Sequence, residues 1–121
     1  MKKLITIVFA VGIFGLFLAS CGNPAPKKMT VNIENGKVIY DKACIACHWK
    51  GVAGAAALTD TPRWEIIAAK GMDTIHKHSI TGFQGEYGVM PEKGTCTTCS
   101  DQDMYDAIGY MLNQAGVTAK Q

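Results

Sequence analysis

The chain has 121 residues, 48% apolar and 18% charged, a balance that excludes a disordered polyelectrolyte and leaves room for one small domain but not two. Twelve basic against ten acidic side chains give a net charge of +2, and Lys2 and Lys3 fall in a segment expected to be removed. The remainder is near neutral: no basic face argues for nucleic acid, and no like-charge block argues for a solvating tail.

Met1-Lys2-Lys3 is a short positive region, followed by an apolar run from Leu4 to Leu18. Fifteen residues is the length of an export signal and short of the roughly 20 needed for a spanning helix. The run ends in Leu18-Ala19-Ser20-Cys21-Gly22, which resembles the lipobox of bacterial lipoproteins. Residues 1–20 are therefore read as a signal peptide. Cys21 becomes the lipidated first residue of the mature chain, on the periplasmic side of a bacterial membrane, with inner and outer membrane both open. Residues 21–31, with Pro24, Pro26, Lys27 and Lys28, carry no apolar periodicity and read as a flexible tether. The domain is expected over residues 32–121.

Gly36, Tyr40, Ala43 and Cys47 recur at helical spacing, so a helix is expected from Val31 to Cys47, with Asn32 or Asn35 as its cap. Its last turn carries Cys44-Ile45-Ala46-Cys47-His48. A Cys-x-x-Cys-His run is an attachment site for a c-type haem: two sulfurs on one turn form thioethers to the vinyl groups, and the next residue places an imidazole beneath the iron. Trp49 to Asp60 holds Gly51, Gly54 and three successive alanines, which predicts an irregular loop of little bulk. Thr61-Pro62 gives an N-cap and first-turn proline for a helix through Trp64, Ile67 and Ala68 to Gly71. Asp73 to Ile80 predicts a further helix closed by Gly82.

Phe83 to Gly94 is rich in glycine and is expected to be a loop; it holds Met90-Pro91. A thioether is a soft ligand suited to haem iron, which makes Met90 the candidate sixth ligand. Met29 lies in the tether, Met72 opens a helix, and Met104 and Met111 belong to an apolar helical stripe. His76 and His78, on one short helix beside Lys77, are the rival ligands, and read by default as solvated surface histidines. Cys96-Thr97-Thr98-Cys99 lacks a following histidine and admits three readings: a disulfide, a redox-active dithiol, or zinc ligation together with Cys44 and Cys47. Ser100 and Asp103 form a capping-box pattern, opening a final helix whose buried stripe is Met104, Ala107, Ile108 and Met111. Gly36 permits close approach of the first helix to this last one, with Tyr40 near Ala107 and Tyr110.

With these residues placed, the stretch from Gly36 to Leu112 resembles a class I monohaem cytochrome c, and more narrowly the cytochrome c5 group. The likeness rests on Cys44-x-x-Cys47-His48, the Gly51-Val52-Ala53-Gly54 loop, Trp64, Lys70-Gly71-Met72-Asp73, and Met90-Pro91 before the paired cysteines. The resemblance implies an all-α fold of about four short helices around one covalent haem c, with Trp64 packed near it. It also implies His48 and Met90 as axial ligands of the iron and a Cys96–Cys99 disulfide. Ala56 departs from the pattern, because many relatives place a proline there, in the loop whose carbonyl accepts the proximal imidazole N–H.

The function implied is one-electron transfer in a respiratory chain, without enzymatic turnover. The partners are redox proteins such as a quinol-oxidising complex and a terminal oxidase or reductase, and the membrane is reached through Cys21. The alternatives are a haem-based gas or redox sensor with a labile or absent methionine ligand, and a haem-free zinc or structural lipoprotein.

Overall fold

A computed structural model describes residues 27–121. The signal peptide and Cys21, with the first part of the tether, lie outside the described residues. The chain meets the domain before Asn32: Met29 and Val31 pack against the core, the Thr30 carbonyl accepts a hydrogen bond from Gln102, and Val31 covers Gly109.

Helix α1 (Ile33–Ile39) begins at Asn32, whose side chain accepts from the Asn35 N–H at 3.0 Å, one of the two caps expected. It runs without a break into a π-helical turn, Tyr40–Cys44, and then into the short helix α2, Ile45–His48. Helix α3 (Thr61–Ala68) starts one residue earlier than its sequence suggests, because Asp60 is the cap and accepts from the Arg63 N–H, leaving Thr61 and Pro62 in the first turn. Thr61 instead donates its hydroxyl to the Ala115 carbonyl. Helix α4 (Met72–Thr81) follows Gly71 and closes at Gly82, where φ is +78°. Helix α5 (Asp101–Gln114) carries the full capping box of Ser100 and Asp103.

The expected loop after α4 is in fact a small antiparallel hairpin, β1 (Phe83–Gly85) and β2 (Gly88–Met90), with Phe83 opposite Met90. Three-residue strands separated by Glu86-Tyr87 leave no alternation long enough to read from the sequence. The fold is otherwise helical, as expected.

The core is built on α5. Met104, Ala107, Ile108 and Met111 are buried on it, as the stripe predicts, together with Tyr105 and Leu112. Helix α1 crosses α5 at Gly36, where a Cβ would stand 2.2 Å from the Asp106 carbonyl oxygen. Tyr40 packs on Tyr110 with ring centroids 5.3 Å apart. Asp106 is only 2% exposed, and its carboxylate is satisfied by the Asn32 N–H and the side-chain amides of Asn35 and Gln102. A buried charge so bonded avoids the desolvation penalty of an orphan and holds the two helices in register.

Candidate functional site

Cys44, Cys47 and His48 all open onto one cavity of about 500 Å³, within the range of pockets that hold cofactors. Cys44 ends the π-helical turn and is buried; Cys47 and His48 sit half-buried on α2. Met90, the last residue of β2, lines the same cavity, as do Trp64 of α3, Ile75 and Ser79 of α4, and Ile108 and Met111 of α5. Two thiols, one imidazole and one thioether therefore converge in a space whose other walls are largely apolar. This donor set suits an iron porphyrin attached through sulfur.

The imidazole is oriented by the backbone. His48 Nδ1 lies 2.9 Å from the Ala56 carbonyl oxygen; a carbonyl only accepts, so Nδ1 carries the hydrogen and Nε2 keeps its lone pair. The carbonyl at Ala56 thus serves the role that the resemblance assigns to this loop, with alanine in place of proline. Burial lowers the His48 pKa, the Ala56 bond opposes this, and the Arg63 charge adds to the lowering. Burial, reinforced by Cys47, pushes the Cys44 thiol up to about 11. Around His48 the loop is pinned at successive residues: Trp64 Nε1 donates to the Ala57 carbonyl at 2.8 Å, and the Leu58 N–H donates to the His48 carbonyl at 2.9 Å. Trp64 is 2% exposed, with its ring 5.8 Å from that of His48.

Cys96 and Cys99 are joined to each other as a disulfide, Cα atoms 5.4 Å apart, and neither is bonded to Cys44 or Cys47. Among the described residues no three histidine, cysteine or acidic side chains gather as a metal cluster, which removes the support for zinc shared between the two pairs.

The two rival histidines separate. His76 turns from the cavity, donating Nε2–H to the Asp101 carbonyl at 2.8 Å and meeting Tyr105 edge-on at 5.2 Å. His78 lines the cavity and stacks on Phe83, centroids 4.2 Å apart, so it is not a plain surface residue. Burial, then Lys70 and Lys77, lower its pKa.

Two residues that were not among the sequence candidates, Arg63 and Tyr87, join the site. Both line the cavity, and the Arg63 guanidinium lies 4.1 Å over the Tyr87 ring. No periodicity marks either residue; the available signal was a single arginine beside Trp64 in a helix otherwise poor in cations.

The family profile described as cytochrome C oxidase, cbb3-type, subunit III, matches residues 31–111. Cytochrome c-555 of Chlorobaculum tepidum is 38% identical over 80 residues, covering 66% of this chain and 74% of that protein. Cytochrome c5 of Azotobacter vinelandii is 38% identical over 80 residues, covering 64% and 92%. Among solved structures, a mono-haem ferrocytochrome c from Shewanella putrefaciens superposes with a TM-score of 0.53 at 40% identity, covering 67% of this chain and 95% of that one. The cytochrome c of an electron transfer complex with nitrite reductase superposes with a TM-score of 0.61 at 30% identity, covering 71% and 99%. On this sequence, fold and site, the chain belongs to the class I monohaem cytochromes c, of cytochrome c5 type, electron-transfer proteins that carry one covalent haem c with its iron.

Proposed function

We propose that this cytochrome is a membrane-tethered one-electron carrier of a bacterial respiratory chain, its iron held between His48 and Met90. The observation that carries the reading is the opening of Cys44, Cys47, His48 and Met90 onto one cavity. The Ala56 carbonyl keeps His48 Nε2 as the donor nitrogen, and Met90 reaches the cavity from the hairpin, a different part of the chain. The haem supplies the redox couple; the protein supplies both axial donors and an apolar enclosure, and these are levers on the potential. With His48 and Met90 both donating to the iron, no open coordination site would be left for turnover of a small substrate. The chain acts as a carrier and not as an enzyme.

Val52, Ile66, Tyr87 and Val89 line the cavity and are each more than half exposed, an apolar part of a rim that also carries exposed Lys70 and Glu86, on which a redox protein can dock. A quinol-oxidising complex and a terminal oxidase or reductase are the partner classes proposed. A structural relative at 30% identity was solved in an electron transfer complex with nitrite reductase. The lipobox-like run before Cys21 supports export and attachment to the periplasmic face of a membrane through a lipid on that sulfur.

The deciding experiment is the absorption spectrum of the haem-loaded protein, oxidised and reduced. The ferric form should show the weak long-wavelength charge-transfer band of a thioether on iron, and Met90→Ala should abolish it. Its absence from the unaltered protein, or rapid carbon monoxide binding by the reduced form at neutral pH, would contradict the ligation and bring the sensor reading forward. Cys21→Ser should release the cytochrome from membranes with an unchanged spectrum; continued membrane retention would contradict lipidation.

A further inference from the structure

Arg63 is half-buried on the first turn of α3, and among the described residues it enters no salt bridge. Its guanidinium is given to backbone instead. Nη1–H donates to the Ala55 carbonyl at 3.2 Å, Nη2–H donates to the Gly54 carbonyl, and the planar group rests on the Tyr87 ring. The next peptide carbonyl, that of Ala56, accepts from His48 Nδ1. Alanine at 56 leaves that residue's φ unrestrained by its own side chain, so the carbonyl's direction is set by what holds its neighbours: Arg63 on the residues before it, and the Trp64 bond to Ala57 after it. A planar guanidinium donating two hydrogens to consecutive carbonyls fixes their orientation as a single ammonium cannot.

The ring that seats the guanidinium belongs to the segment carrying Met90. Gly54 meets the hairpin backbone so closely that a Cβ there would overlap the Tyr87 carbonyl at 1.7 Å, and a Cβ on Gly88 would stand 2.4 Å from the Ala53 carbonyl oxygen. Arg63 thus stands where the loop behind His48 touches the hairpin that ends in Met90.

We propose that Arg63 is a positioning residue for the axial imidazole: by clamping the Gly54 and Ala55 carbonyls, it aims the Ala56 carbonyl at His48 Nδ1–H and so sets how strongly the imidazole donates to iron. The assignment rests on His48 being the proximal ligand. A firmly held acceptor makes the imidazole more basic and favours ferric iron; a loosened one does the reverse.

The test uses the complete haem-loaded protein with Arg63→Lys, which keeps the charge and loses the fork, and Tyr87→Leu, which removes the seat at an exposed ring. Two quantities are read: the hydrogen-exchange rate of His48 Nδ1–H by proton NMR in the reduced state, and the reduction potential. Arg63→Lys should speed exchange roughly tenfold, equivalent to about 1.4 kcal/mol of local opening, and move the potential in the positive direction. Tyr87→Leu should move both in the same sense by less. Wild-type exchange and potential in Arg63→Lys, even with a lowered unfolding midpoint, would reduce Arg63 to a structural residue and overturn the proposal. Should Arg63→Lys fail to fold, unchanged values in Tyr87→Leu overturn it equally. Failure of the ligation itself is seen separately, in the unaltered protein, as a His48 ring without the haem's ring-current shifts, and sinks both.

Discussion

Replacing Gly36 with alanine should destabilise the protein, although alanine is the better helix former. The added Cβ would lie 2.2 Å from the Asp106 carbonyl oxygen, 2.7 Å from its carbon and 2.9 Å from Tyr110 Cβ. Two of these atoms are backbone of α5 and cannot rotate away, so α1 and α5 must part by about 1 Å. A gap of that size forfeits a quarter to a half of each dispersion contact across it. It also stretches the bonds that satisfy the buried Asp106 carboxylate. Overpacking of this kind costs about 1–3 kcal/mol, more when backbone must move, and the helix-propensity gain returns only about 1. The net expectation is a loss of about 2 kcal/mol, or roughly 10 °C in melting temperature for a domain of this size. Guanidinium and thermal melts of the haem-loaded protein, followed by circular dichroism, measure it. Val38→Ala, on the same helix at a 63% exposed position, is the control and should stay within about 0.5 kcal/mol. Equal or higher stability of Gly36→Ala would refute backbone contact between the two helices.

Three further outcomes are expected. The Asp103 carboxyl is held below its usual range by the Asn35 amide and then by the Ser100 backbone and hydroxyl donors, so its stabilising contribution is complete above about pH 4 and is lost as pH falls through the lowered value; acid unfolding of Asp103→Asn should lack that part of the pH dependence, and an unchanged acid limb would contradict it. Replacing Cys96 and Cys99 together by alanine should lower stability by about 2 kcal/mol, the chain-entropy value for so short a loop, measurable as a shifted denaturant midpoint. In Met90→Ala, any nitrogen ligand that replaces the sulfur should come from His78, which lines the cavity, and not from His76, which is committed to Asp101; a bis-nitrogen spectrum that survives Met90→Ala with His78→Ala but vanishes with His76→Ala would reverse this assignment.

The parts of the fold that were legible are those whose cause is local. Asn32, Ser100 and Asp103 cap helices through groups within three residues, and the spacing of Gly36 and Tyr40 already marks the face that meets α5. Cys44, Cys47 and His48 announce themselves because one helical turn must carry all three. The hairpin was illegible because its strands are short and its support, the Ala53-Gly54 backbone, lies some thirty residues away in sequence. Arg63 was illegible for a different reason: its partners are two carbonyls, and every residue has one. His78 read as solvent-facing because the helical pattern places it beside Lys77, whereas the later strand carrying Phe83 folds over it.

The joining of α1 to α5 has a consequence for the order in which the molecule is made. Asn32 and Asn35 reach Asp103 and Asp106 across 68 to 74 positions, so the earliest helix of the domain finds its partner only when the last one exists. A polypeptide lacking α5 has nothing to cover Gly36, Tyr40 or the turn bearing Cys44, which is 4% exposed once the domain has closed. In the closed domain Cys44 and Cys47 face the cavity that Ile108 and Met111 of α5 help to wall. The terminal helix is the last wall of that cavity to be made, and the enclosure around the two sulfurs is complete only once it docks.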